Sequence, residues 1–234
     1  MGQDRGYIQL DFKDLKRVTI FAGHYGSGKT NIAVNYALNI RKSGSDTVIA
    51  DLDIVNPYFR TKDASEVLSN NNIKLISSPY ANTNVDTPAL PAEAYSVIHN
   101  KDNFAIIDVG GDDRGALALG RFSKDIVAEN NYEMLFVINK YRYLTADAAS
   151  TAEVMREIEA ACSVCFTGIV NNSNLGDETT VENIISSIKY ADDVSKMVRL
   201  PIKFTAVKED IAGVLADKIN NIMPIKIYVK QFLS

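Results

Sequence analysis

The sequence lacks several features that would assign whole classes of function. It has no basic excess: 25 Lys and Arg stand against 29 Asp and Glu, a formal net charge of −4. Unspecific nucleic-acid binding leans on Lys and Arg, so no nucleic-acid partner is expected. It has no apolar run long enough to cross a bilayer. Charges at Asp4, Arg5, Asp11 and Lys13 break up the N-terminal segment, which does not read as a signal peptide. Only two cysteines are present, which excludes a disulfide scaffold and points to a reducing, cytoplasmic setting. Histidine is equally sparse. His99 has no Cys or second His near it in sequence and reads as a surface residue, which leaves His24. No repeat, low-complexity tract or Gly/Ser linker divides the 234 residues, so residues 1–234 read as one domain.

What the chain does have is an alternation of short apolar runs and helical patterns. The runs are Val18–Ala22, Thr47–Ala50, Ile73–Ile76, Phe104–Ile107, Met134–Ile138, Cys165–Val170 and Pro201–Phe204. Most are apolar on both faces, as strands buried between two helical layers must be; Lys74 and Lys203 interrupt two of them. Between them Ala33, Tyr36, Ala37 and Ile40 recur at helical spacing. So do Ala148, Ala152, Met155 and Ile158, and Val181, Ile184, Ile185 and Ile188. Strand–helix alternation predicts an α/β fold: a mostly parallel sheet with helices on both faces, in three layers. Ligands of such sheets bind beyond the carboxyl ends of the strands, so loops after strands are the ones to read for chemistry.

The loop after Val18–Ala22 reads Gly23-His24-Tyr25-Gly26-Ser27-Gly28-Lys29-Thr30, a complete G-x-x-x-x-G-K-[ST] phosphate loop between a buried strand and an amphipathic helix. Its glycines let backbone N–H groups face phosphate oxygens, and the helix N-terminus adds positive potential. Lys29 is expected to reach the β- and γ-phosphates, and the Thr30 hydroxyl to coordinate Mg²⁺. Two further strand ends are acidic. Phe104–Ile107 runs into Asp108-Val109-Gly110-Gly111, which places Asp108 for the Mg²⁺ shell and Gly111 for a backbone contact to the γ-phosphate. Thr47–Ala50 runs into Asp51-Leu52-Asp53, two carboxylates on one side of an extended segment. Asp51 is assigned to the metal shell and Asp53 to orienting an attacking water.

These three motifs together resemble the MinD/ParA branch of phosphate-loop ATPases, which includes the nitrogenase iron protein and the cobyrinic-acid synthase relatives. The resemblance spans Val18 to Phe204. It implies a sheet of seven or eight strands, ATP with Mg²⁺, and slow hydrolysis coupled to a partner or to dimerisation. It maps Lys29 and Thr30 onto the phosphate-loop pair, Asp53 onto the water-positioning carboxylate and Asp108 onto the metal-shell Asp. Asn171 maps onto an adenine-contacting Asn, with Val207–Asp210 flanking the base. One departure is clear. Many members carry a lysine early in the loop that crosses to a partner's nucleotide, and that position is His24, a shorter and mostly neutral side chain. The homodimer is therefore left open. Arg60 or Arg114, in the two expected switch segments, is a substitute source of charge, but each reads first as a solvated arginine.

Asn139-Lys140 resembles the guanine-reading N-K-x-D pattern, but Arg142 stands where the Asp belongs, which favours ATP over GTP. Cys162-Ser163-Val164-Cys165 has the spacing of a metal or redox pair; Cys162 continues an apolar helical stripe and Cys165 opens an apolar run, so core packing is expected. Ile225, Tyr228, Val229 and Phe232 predict a C-terminal helix docked on the sheet, and Lys226 and Lys230 between them are too few to argue for a membrane surface. The polar loop Ser77–Pro91 follows a strand and either meets a protein partner or small-molecule substrate or is a rigid surface loop. The function expected is an Mg²⁺-dependent ATPase acting as a nucleotide switch. An ATP-using small-molecule kinase or ligase, like dethiobiotin synthetase, and an iron–sulfur cluster or metal chaperone are the alternatives.

Overall fold

The computed structural model describes residues 15–52, 64–77, 92–111 and 113–229. Eight strands form one sheet in the order β3-β2-β4-β1-β5-β6-β7-β8. They are β1 (Val18–Ala22), β2 (Thr47–Asp51), β3 (Lys74–Ser77), β4 (Phe104–Asp108), β5 (Tyr132–Ile138), β6 (Gly168–Asn171), β7 (Ile202–Lys208) and β8 (Ile222–Ile225). Every neighbouring pair is parallel. Each of the seven apolar runs overlaps a strand, and the sheet they make is the expected one.

Helices cover both faces. α1 (Lys29–Lys42) and α2 (Ser65–Asn70) pack on one face, where Ile32, Ala33, Tyr36, Ala37, Ile40 and Leu68 meet Phe21, Ile49, Ile106, Val137 and Phe204. α3 (Ala92–His99), α4 (Asp113–Gly120), α5 (Ser123–Glu129), α6 (Ala148–Cys162) and α7 (Val181–Val198) follow in order. They cover the other face, where Val97, Leu119, Ile126, Met155 and Val194 meet Ile20, Ile107, Met134 and Ile169. α8 (Glu209–Leu215) closes the β8 edge in a smaller cluster with Ile184, Val207 and Ile222. Strands with buried side chains on both faces are why the runs read as continuously apolar rather than alternating.

The chain lays β2, β3 and β4 on one side of β1 and β5 to β8 on the other. The loop after β1 therefore opens where the direction of winding reverses, which is where open α/β sheets bind ligands.

Three expectations are corrected. The run Cys165–Val170 is strand only from Gly168; Cys165 lies in an irregular approach and is exposed. At Gly168 the Lys203 side chain lies close over the backbone: a Cβ there would lie 2.7 Å from Lys203 Cγ. The C-terminal helix is absent from the described residues. Ile225 ends β8, and residues 226–228 are irregular. Finally, β7 continues to Lys208, so Val207 and Lys208 are strand and Glu209 already opens α8. Among the described residues no helix is long and apolar enough to cross a membrane.

Candidate functional site

The phosphate loop bridges β1 and α1, and Gly28 is the N-cap of α1. Its φ of 86° lies in the left-handed region, as does that of Gly26 at 76°. A side chain would be strained at both places. The loop is closed by Ser27 N donating to His24 O at 3.1 Å. Lys29 folds back over it, its Nζ donating to His24 O at 3.2 Å. The same ammonium lies beside Gly111, where a Cβ would come within 3.0 Å of it. That Cβ would also sit 2.6 Å from the backbone of Tyr25, so Gly111 rests directly against the loop. Lys29 thus lies between the loop and the D-x-x-G turn. Tyr25 is exposed at the rim, Thr30 is half-buried, and Ser27 Oγ is buried without a hydrogen-bond partner among the described residues.

Asp51 and Asp108 end adjacent strands and are register partners, so their side chains emerge from the same face. Both are buried, at 6% and 1% exposure. The Asp108 carbonyl accepts from Leu52 N at 2.8 Å, which ties the two strand ends together. Neighbouring buried carboxylates are stable as anions only beside positive charge. Their carboxylate oxygens, like the hydroxyl of Thr30 at the start of α1, are hard oxygen donors of the kind Mg²⁺ selects. The chemistry of these donors fits a magnesium ion. Asp53 and Arg60 lie outside the described residues. Arg114 is exposed on α4.

The asparagine on the loop is not Asn171. Asn171 is fully buried, and its amide donates to Ser187 Oγ of α7 at 2.9 Å while its oxygen accepts from Ser173 Oγ at 2.8 Å. Asn172 reaches the loop instead, donating from Nδ2 to Ser27 O at 2.7 Å. Successive residues of an extended chain face opposite sides, so a shift of one residue exchanges a helix contact for a loop contact. Asn172 also explains Gly28: a Cβ there would lie 2.3 Å from Asn172 Nδ2. Asn139 is likewise internal. Its Oδ1 accepts from Tyr141 N and Asn174 N at 3.0 and 3.2 Å, joining the loops after β5 and β6.

Arg142, read in the sequence only as a missing Asp, donates from Nε to Gly26 O at 2.9 Å. No motif announces it, because the contact joins loops 116 residues apart. His24 is half-buried, with Nδ1 2.9 Å from Tyr25 O. Burial lowers its pKa; Lys29 and Arg142 lower it further, against an opposing contribution from the Tyr25 carbonyl. Cys162 is buried at the end of α6, its Sγ 3.5 Å from Val164 O, and burial raises its thiol pKa.

No protein-family model matches the sequence, and no curated protein sequence matches it. Solved structures of the same fold do. FtsY from Mycoplasma mycoides superposes with a TM-score of 0.59 at 18% identity, covering 88% of this chain and 64% of that one. Chloroplast FtsY from Physcomitrella patens gives 0.54 at 18%, with 88% and 64% covered. The signal recognition particle receptor FtsY from Elizabethkingia anophelis, in complex with GDP, gives 0.52 at 15%, with 88% and 61% covered. The chain thus spans a little under two thirds of these proteins' length. The likeness shows the fold alone, that of the eight-stranded parallel sheet with helices on both faces.

Proposed function

We propose that the protein is an Mg²⁺-dependent nucleoside triphosphate hydrolase that acts as a nucleotide-driven switch, with ATP as its substrate. The observation that carries this reading is Lys29, folded across an intact phosphate loop onto His24 O and against Gly111, with Asp51 and Asp108 on adjoining strand ends. The loop N–H groups and the α1 N-terminus hold the triphosphate. Lys29 neutralises charge on its terminal oxygens. Thr30, Asp51 and Asp108 are the residues that would hold Mg²⁺, which when bound offsets phosphate charge. Asp53 orients the attacking water. Catalysis of this kind is positioning and charge stabilisation, with no covalent step on the protein.

Adenine is favoured because no carboxylate stands three residues past either asparagine at a strand end. Arg142 follows Asn139 and Asn174 follows Asn171. A guanine-reading site discriminates by leaving polar groups unpaired against the wrong base, and these positions offer no such carboxylate. Asn172, held beside the loop, is the residue we assign to the base in place of Asn171. The MinD/ParA-like character rests on the motifs, and a switch of that kind turns over slowly until a protein partner or a second copy of the chain engages it.

Phosphate release with ATP and with GTP tests the reading. Slow Mg²⁺-dependent release, preferring ATP and lost in Lys29→Ala, is expected. Equal turnover in Lys29→Ala would overturn the site. Release that depends on a particular small molecule would move the protein to the kinase or ligase class.

A further inference from the structure

The loop after β5 carries a cation to the phosphate loop, and nothing in the motifs accounts for it. That loop is held from several directions. Arg142 N donates to Asn139 O at 3.1 Å and Thr145 N to Arg142 O at 3.0 Å. Thr145 Oγ1 donates to Asn139 O at 2.8 Å. Tyr141 Oη is 2.9 Å from both Asn183 O and Ser186 Oγ, which ties the loop to α7. From this frame the half-buried Arg142 reaches the Gly26 carbonyl. Gly26 gives it room: a Cβ there would lie 3.0 Å from Arg142 Nε and 3.1 Å from Cζ. The guanidinium therefore lies close against the loop at the residue between Tyr25 and Ser27. Its charge is felt at His24 together with that of Lys29, so two cations converge on one short loop.

We propose that Arg142 is a cis-acting cation of the nucleotide site, which braces the Gly26 turn through Nε and stabilises negative charge on the terminal phosphoryl group. The proposal rests on the nucleotide reading above. A guanidinium presents five donors in one plane, so it can hold a carbonyl and an anion together. A lysine ammonium, a point charge on a flexible stem, cannot do both in the same geometry. Charge placed in advance where the transition state becomes negative accelerates phosphoryl transfer without covalent chemistry. It also gives this chain, within one subunit, a positive charge that His24 does not supply.

The test compares wild type, Arg142→Ala, Arg142→Lys and Lys29→Ala in Mg²⁺-ATP hydrolysis, with binding of ADP and of a non-hydrolysable ATP analogue. Arg142→Ala should lower kcat by about 10²-fold while ADP binding is retained. Arg142→Lys should remain slow, and millimolar guanidine should restore part of the rate to Arg142→Ala. A residue that only props the loop would lose ADP affinity and melting temperature together and would not respond to guanidine. That outcome overturns the proposal, as does wild-type kcat in Arg142→Ala. If Arg142→Ala fails to fold, Arg142→Lys decides: a rate like wild type contradicts the proposal. Lys29→Ala keeps the two claims apart. Hydrolysis lost there but retained in Arg142→Ala removes this inference and leaves the nucleotide reading standing. A wild type that binds no nucleotide removes both.

Discussion

Gly28→Ala separates backbone strain from a specific contact at the heart of the loop. Two costs are expected. Alanine at a φ of 86° occupies the left-handed region, a penalty of roughly 1–2 kcal/mol. Its methyl group would also lie 2.3 Å from Asn172 Nδ2, so the amide must move off Ser27 O, its partner at 2.7 Å. Both residues are buried, and a buried carbonyl left without its donor costs about 1–3 kcal/mol. Gly28→Ala should therefore destabilise by about 2–5 kcal/mol. Asn172→Ala alone loses the same hydrogen bond, about 1–3 kcal/mol. In the double variant the amide is already gone and the methyl group meets nothing, so that loss is counted once. The double variant should thus be about 1–3 kcal/mol more stable than the sum of the singles predicts. Urea denaturation of the four proteins measures it, with equal m-values as the check that all unfold between comparable states. Additivity within about 0.5 kcal/mol would refute the contact.

His24 supplies a pH-dependent readout. Burial and the charges of Lys29 and Arg142 hold its pKa below the ordinary histidine value. The unfolded chain then takes up the proton more readily than the folded one. Between the folded pKa and the ordinary value, stability should accordingly fall as pH falls, and a His24→Gln variant should lose that dependence in urea titrations. With only two histidines in the chain, NMR can follow the imidazole directly. A bound Mg²⁺–triphosphate analogue should move its pKa upward, and an unmoved value would place the anion elsewhere. Asn31, two residues past Lys29, accepts from the Tyr228 and Val229 amides at 2.9 and 3.0 Å and donates to Val229 O at 2.8 Å. Asn31→Ala should cost about 2–4 kcal/mol and speed hydrogen exchange at those two amides. Unchanged exchange would show that the segment is held by Val229 packing alone.

Much of this molecule could be read from local patterns, and the exceptions are long-range. The seven apolar runs announce their strands because both faces of the sheet are covered. β8 went unread: it is four residues long, contains Pro224 and lies at the sheet edge, where a proline is tolerated. The spacing of Ile225, Tyr228 and Val229 matches a helix, yet the segment is an irregular extension fastened to α1 by Asn31 and Asn35. Lys226 N donates to Asn35 Oδ1 at 2.9 Å across 191 residues, a pairing no local pattern encodes. At the site, the phosphate loop and the two acidic strand ends follow directly from the motifs, whereas the register that pairs Asp51 with Asp108 appears only in the sheet. That Asn172 and not Asn171 meets the loop does not follow from them either, because a motif fixes a position only to within a residue while side-chain direction alternates at every residue. Arg142 was hidden for the same reason as the C-terminal fastening: its meaning lies in a contact with a distant loop.

The central claim is that the loop from Gly23 to Thr30 binds a nucleoside triphosphate through Lys29. Isothermal titration of wild type and Lys29→Ala with a non-hydrolysable ATP analogue, with Mg²⁺ and with EDTA, tests it most directly. The account predicts one Mg²⁺-dependent site per chain on wild type, weakened by at least about 10-fold in Lys29→Ala, the equivalent of one charge-assisted hydrogen bond. Equal binding by both proteins, or no binding by either, would contradict it.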